Sequence, residues 1–357
     1  MRSSQPPPQG TVLELVWRYG WNTTAHQILN RGISHMLSSR GDAVTGYVDY
    51  GRVRVAAGVP ICAPERLLEA MEEFEMAARH AGRRVCYFYA EERVRRLVSG
   101  MDEYATVQIG AQPVWQPAQW RSTFDGHASL RAQRNRARNK GVVISEWDRH
   151  RATRNPLLEQ CLDEWLEARR ITELHFLVEP ETLGFLEGRR VFVAEKKERP
   201  VGFLLASPVP LRRGWLVEQV IRGREAPNGT AEMMIDAAVR GMADDGDSFV
   251  TLGLAPLALR EARVENPRWL RLPFAWTRAH GRRFYNFDGL ERFKAKFRPH
   301  QWEPVYMVSR ERSFSLGSLV AVAGAFTGDR LCAAFCRTIK RAVMQELRWL
   351  RSSRGKS

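Results

Sequence analysis

The 357-residue chain has no apolar run approaching the roughly 20 residues that a membrane-spanning helix requires. The longest candidate, LGSLVAVAGAF at 316–326, is cut off by Thr327, Gly328, Asp329 and Arg330, so a helical span is not expected. The first ten residues, MRSSQPPPQG, lack the apolar core of a secretory signal, and their three prolines suggest a short extended arm. Cysteine is sparse. Cys62, Cys86, Cys161, Cys332 and Cys336 form no CxxC pair and have no histidine at ligand spacing, so no structural metal is expected and a reducing cytoplasm fits. No P-loop and no GxGxxG is present, so nothing suggests that the chain activates a substrate with ATP. Acidic residues are outnumbered, 40 against 55 Lys and Arg, and the net charge of +15 favours anionic partners such as nucleic acid or an acidic membrane face.

What is present reads as a mixed α/β sandwich. Residues 43–58 alternate as two strands around Tyr50-Gly51. PERLLEAMEEFEMAARHAG (64–82) has the charge pattern and terminal glycine of a helix, and RVCYFYA (84–90) and YATVQIG (104–110) read as strands. LRAQRNRARNKG (130–141) is a basic helix. Eight Lys and Arg but only Glu146 and Asp148 fall between 131 and 154, and Arg131, Arg134 and Arg138 sit at i, i+3 and i+7 on one face, which suits phosphate tracking. A second unit starts near Pro156 with an amphipathic helix carrying Leu158, Leu162 and Leu166. It continues with a hairpin (189–209) turning near Lys197 to Arg199, a strand (214–222), a helix (228–246) and a strand (248–257). The second half thus echoes the plan of the first without repeating its sequence. The expected divisions are an N-terminal arm and entry segment over 1–40, a first domain over 41–155 that ends in the basic linking helix, a second over 156–312 that carries the catalytic site, and a basic amphipathic tail over 313–357.

YNFDGLERFKAKFRPHQWEP (285–304) combines aromatics with Lys294, Lys296 and Arg298. A helix capped by Asp288 would bury Leu290, Phe293 and Phe297 and turn the cations outward. In the tail, from Arg337 onward, seven Lys and Arg stand against one acid, Glu346, and are interleaved with Leu347, Trp349 and Leu350. Such a segment suits either the interface of an anionic membrane or packing on the protein body.

The order of elements is similar to the acetyltransferase-like (GNAT-like) fold. Five stretches, APNGTAEMMIDAAV, LGLAPL, FYNFDGLERFKAKFRPHQWEP, DEWL…FLVEP and LRAQRNRARNKG, together resemble the C-terminal catalytic domain of bacterial phosphatidylglycerol lysyltransferases, from about Val44 to Met307. This resemblance implies two tandem GNAT-like domains that move an aminoacyl group from charged tRNA to the hydroxyl of an anionic membrane lipid. It implies no metal and no redox cofactor, and a cytoplasmic chain or one peripheral on the inner face of the cell membrane. Family members often carry a membrane flippase or a synthetase domain, and neither is expected in this chain. The alternatives are a GNAT-fold enzyme using acyl-CoA or an acyl carrier donor, and a non-catalytic relative that binds RNA or membrane.

The family pattern has an acid three residues before an arginine on the third strand of the second domain. Aligned on Arg222, that position holds Gln219, with Glu218 beside it. Either a bulge brings Glu218 round to serve as base or the usual acid is missing. The resemblance further implies that Arg222 contacts substrate or oxyanion and that Lys294 or Lys296 meets the tRNA 3′ end or the lipid phosphate. Tyr285 and Asn286 would line the same cleft, with Arg298 beside them. Asn228 and Gly229 stand where coenzyme-A-dependent relatives carry a glycine-rich pyrophosphate loop. With Gly229 alone and Pro227 ahead of it, fewer free N–H groups remain, which argues against acetyl-CoA.

Overall fold

Alternating apolar residues generate an antiparallel meander of β1 (Ser34–Leu37), β2 (Val44–Tyr50) and β3 (Val53–Ala57). Gly51 turns β2 into β3 at φ 56°, a left-handed conformation that glycine adopts without strain. Helix α1 (Gln9–Tyr19) precedes the meander, and α2 (Leu67–His80) leads to β4 (Arg84–Glu91), which runs parallel to β3. Next come α3 (Glu92–Leu97), β5 (Ala105–Trp115), α4 (Trp120–Asp125), α5 (Ala128–Asn139), β6 (Val142–Trp147), α6 (Arg149–Ala152) and α7 (Pro156–Arg169). The chain continues through β7 (Arg190–Lys196), β8 (Arg199–Val209), β9 (Gly214–Arg222), α8 (Thr230–Asp244), β10 (Phe249–Thr251), β11 (Ala255–Pro256), α9 (Phe287–Ala295) and β12 (Gln301–Ser309). The computed structural model describes residues 8–326 except 170–175, 179, 259, 261–265, 268, 272–273, 275–277 and 279–285.

One sheet runs in the order β1-β2-β3-β4-β12-β5-β10-β9-β8-β7-β6, with β11 paired to β5. An antiparallel meander, a helix and a strand parallel to the last meander strand occur twice, as β1-β2-β3-α2-β4 and β7-β8-β9-α8-β10. This is the mixed, GNAT-like order expected from the sequence. One face of the sheet carries α2, α5 and α8 over Tyr87, Trp115, Val217 and Val250. The other carries α1, α7 and a helix over 316–326, packed on Val55, Val107, Phe203 and Leu205.

Four segments differ from their expected places. Residues 9–40, expected as an arm and entry segment, form α1, a fully buried stretch from Asn22 to Asn30, and β1. β6 pairs with β7 although it precedes residue 156, and β12 pairs with β4 and β5 although it follows it. The first residues of the expected tail pack on the body: Ala321 and Val322 are buried, and Phe326 meets Phe88 and Phe176 edge-on. The basic segment from Arg337 lies outside the described residues.

Candidate functional site in the gap between β9 and β10

β9 and β10 pair over three positions only, Gly214–Leu216 against Phe249–Thr251. β9 then follows β8 to Arg222, while the chain after Thr251 crosses to β5, where Ala255 pairs with Ala111 and Pro256 with Gly110. A wedge therefore opens through the sheet between residues 217–222 and 252–256. Backbone groups that face it have no strand to pair with and need other partners.

Lys294 supplies part of that partnership. Asn286 caps α9, its side-chain oxygen accepting from the Gly289 N–H at 2.9 Å, in place of the expected cap at Asp288. Phe293 and Phe297 dock the helix, and Phe297 packs on Trp115 and Trp120. The expectation that all the cations face outward is corrected at Lys294, which is 6% exposed. Its Nζ donates to Gly253 O at 2.9 Å and Leu254 O at 2.7 Å, two carbonyls at the apex of the wedge. Burial disfavours the ammonium form and lowers its pKa from 10.5 to about 7. Lys296 is half-buried over the Phe293 ring and pairs with Glu232 at 2.5 Å. Arg298 is exposed just past the helix at φ 52°. Tyr285 lies outside the described residues.

On the opposite face, the pairing of β8 with β9 slips between Leu205 and Ala206, leaving Glu218 as the extra residue of a β-bulge. The bulge turns Glu218 and Gln219 to the same side, toward the segment 176–189. Glu218 is nonetheless fully engaged. Arg189 pairs with it at 3.2 Å, Ser207 Oγ donates to it at 2.5 Å and Gln27 Nε2 at 3.1 Å, and the Arg189 and Glu218 side chains are 1% and 3% exposed. Gln219 Oε1 accepts from Thr182 Oγ1 at 2.9 Å. Arg222, exposed at the end of β9, falls by alternation on the α8 face, the side from which Lys294 approaches.

The α8 N-terminus is a poor phosphate cradle. Gly229 has φ 96°, and a Cβ there would collide with the Gln133 carbonyl of α5, so its glycine serves close helix packing. Glu232 places a carboxylate in the first turn, where the helix dipole already favours an anion. Asn228 is exposed. The three arginines expected to track phosphate are divided. Arg134 pairs with Asp125 and Asp236, both at 2.9 Å, and Arg131 donates to Asp125 O, while Arg138 is exposed beside Arg136 and Lys140. Among the described residues, no group of three His, Cys, Asp or Glu side chains is placed to hold a metal.

Sequence reasoning missed Gln27, Arg189 and Ser207, which contact Glu218, and Asn30, which accepts from Arg189. The stretch NTTAHQILN (22–30) is polar enough to pass for a loop, yet every residue is buried. His26 illustrates how thorough that burial is: its Nε2 lies 2.9 Å from Glu187 O, and desolvation, with Arg189 adding to it, lowers its pKa from 6.5 to about 3.

The fold has solved counterparts. The C-terminal domain (DUF2156) of a putative lysylphosphatidylglycerol synthetase from Agrobacterium fabrum superposes with a TM-score of 0.75 at 20% identity, covering 90% of this chain and 97% of that one. The structure of L-PGS from Bacillus licheniformis gives 0.74 at 20% identity, covering 96% and 99%. A conserved protein of unknown function from Bacteroides thetaiotaomicron gives 0.59 at 12% identity, covering 85% and 98%. No match was found among the curated proteins. Residues 13–309 match the family described as phosphatidylglycerol lysyltransferase, C-terminal. With that match spanning most of the chain, the protein belongs to the phosphatidylglycerol lysyltransferase C-terminal family.

Proposed function

We propose that this protein transfers an aminoacyl group from a charged tRNA to the hydroxyl of a membrane lipid such as phosphatidylglycerol, and that the wedge between β9 and residues 252–256 is where the two substrates meet. The observation that carries this reading is the buried Lys294 amine at the wedge apex. A neutral amine has two N–H groups, which Gly253 O and Leu254 O can satisfy, and one lone pair left to accept a proton. A pKa of about 7 makes that form abundant at neutral pH.

In this scheme the lipid hydroxyl attacks the ester carbonyl, forming the new C–O bond as its proton passes to Lys294. The tetrahedral intermediate then expels the ribose oxygen, which takes the proton back. One ester replaces another, so the protein's task is positioning, proton transfer and oxyanion stabilisation, the last assigned to Arg222.

The two faces differ in a way that suits the two substrates. Arg136, Arg138 and Lys140 are exposed on the α5 side, whereas Trp17, Leu157, Val178, Leu211 and Leu316 are exposed on the opposite side. A polyanion fits the first and a lipid the second. The Gln133 carbonyl and Glu232 at the α8 N-terminus disfavour a coenzyme A pyrophosphate there. The basic stretch from Arg337 would add to membrane attraction.

The test is to incubate purified protein and phosphatidylglycerol vesicles with radiolabelled aminoacyl-tRNA or with labelled acyl-CoA. Ribonuclease-sensitive movement of label into the organic phase supports the proposal. Movement from acyl-CoA alone overturns it in favour of the acyl-CoA enzyme.

A further inference from the structure

The two halves part their strands at equivalent places. In the first, β3 and β4 run parallel to the pair Ala57–Phe88. β3 then leaves toward β2, where Ile61 bridges to Val44, while β4 continues to Glu91. That gap is filled. Asn22 Nδ2 donates to Val59 O at 3.2 Å, the Thr23 N–H and hydroxyl both donate to Glu91 Oε1 at 3.1 and 3.0 Å, and Arg93 donates to Asn22 Oδ1 at 3.0 Å. Gly58 lies so close to Asn22 and Thr24 that a Cβ would press on both side chains.

The same buried segment runs on to the second gap. There Gln27 Nε2 donates to Leu177 O at 2.7 Å and to Glu218 Oε1 at 3.1 Å, joining the 176–178 turn to the β9 bulge. Asn30 repeats the pattern: its Nδ2 donates to Phe176 O at 3.3 Å, and its Oδ1 accepts from Arg189 Nη2 at 2.8 Å. Nine consecutive buried residues outside regular strands require partners for many polar groups, and here those partners come from both halves.

We infer that residues 22–30 are a brace: the N-terminal end closes the gap of the first half, and Gln27 acts as a positioning residue that sets the lipid-side wall of the gap in the second. The inference rests on the transferase reading for the word lipid, but not for the brace itself. Gln27 touches no reacting atom. It fixes the distance between the 176–178 turn and Glu218, and with it the opening through which an acceptor on the apolar face would reach the wedge.

Gln27→Leu keeps the side-chain size and removes both hydrogen bonds. The brace requires faster hydrogen exchange in two separated segments at once, 176–178 and 217–221. It also requires a KM for lipid raised about tenfold, with the KM for aminoacyl-tRNA within about twofold of wild type. Thr23→Val, at the far end of the segment, should move the same quantities in the same direction by less, and it serves if Gln27→Leu does not fold. Unchanged exchange in either segment, or equal changes in both KM values, overturns the brace. A wild-type protein that transfers nothing overturns the transferase reading instead, and the exchange measurement still decides the brace.

Discussion

Replacing Lys294 with methionine, similar in length and without a charge, isolates the cost of burying an amine. The fall in pKa from 10.5 to about 7 corresponds to roughly 5 kcal/mol of preference for the neutral form. The unfolded chain keeps the ordinary value, so between pH 7 and 10.5 it binds a proton that the folded chain does not. Stability therefore rises with pH across that window, and the penalty is fully present below it. Integrated from pH 7 to pH 9, the gain is about 2 kcal/mol. Lys294→Met would leave the Gly253 and Leu254 carbonyls without their donor, a loss that does not depend on pH. Urea unfolding of both proteins at the two pH values separates these effects, because only wild type should gain the extra ~2 kcal/mol. A stability difference that stays constant from pH 7 to pH 9 would mean that Lys294 has an ordinary pKa and would refute its role as a neutral amine.

Further outcomes follow from the same geometry. Because His26 is held neutral, wild type should lose about 3 kcal/mol between pH 6.5 and pH 4 as the unfolded chain takes up a proton, and His26→Gln should show a shallower acid slope in denaturant titrations. Asp236 accepts from Trp120, Arg134 and Arg240, so Asp236→Ala should destabilise by about 3–5 kcal/mol, measured by chemical unfolding. Arg138→Ala should leave stability within about 0.5 kcal/mol and weaken tRNA binding in a filter assay, with a shallower salt dependence. Gly229→Ala, at φ 96° against the Gln133 carbonyl, should cost about 1–3 kcal/mol in the same unfolding assay.

Much of the fold is legible in the sequence because its signals are local. The alternation in β2, β3, β4 and β9, and the charge and glycine pattern around α2 and α8, locate those elements to within a few residues. The position of β12 between β4 and β5 is not local: nothing near residues 301–309 names its partners about two hundred residues away. The site is partly legible. The motif at 285–304 marks the helix that reaches the wedge, but helical patterning sorts lysines to the solvent face, and Lys294 goes inward because unpaired carbonyls wait there. The bulge at Glu218, one of two alternatives open in the sequence, is decided only by its partner strand, since whether Gln219 shares its face depends on the register with β8. The polar stretch 22–30 hides its burial for the opposite reason, its partners being scattered across both halves.

Single-turnover transfer from aminoacyl-tRNA to phosphatidylglycerol, followed as a function of pH in wild type and Lys294→Met, bears on the mechanism most directly. Wild type should show a rate that rises with pH and levels off with a midpoint near the lysine's pKa of about 7. The variant should be slower by about 10²–10⁴-fold and lack that inflection. A variant that transfers at the wild-type rate with the same pH profile would contradict the assignment of proton transfer to the buried amine and, with it, the wedge as the place where the ester changes hands.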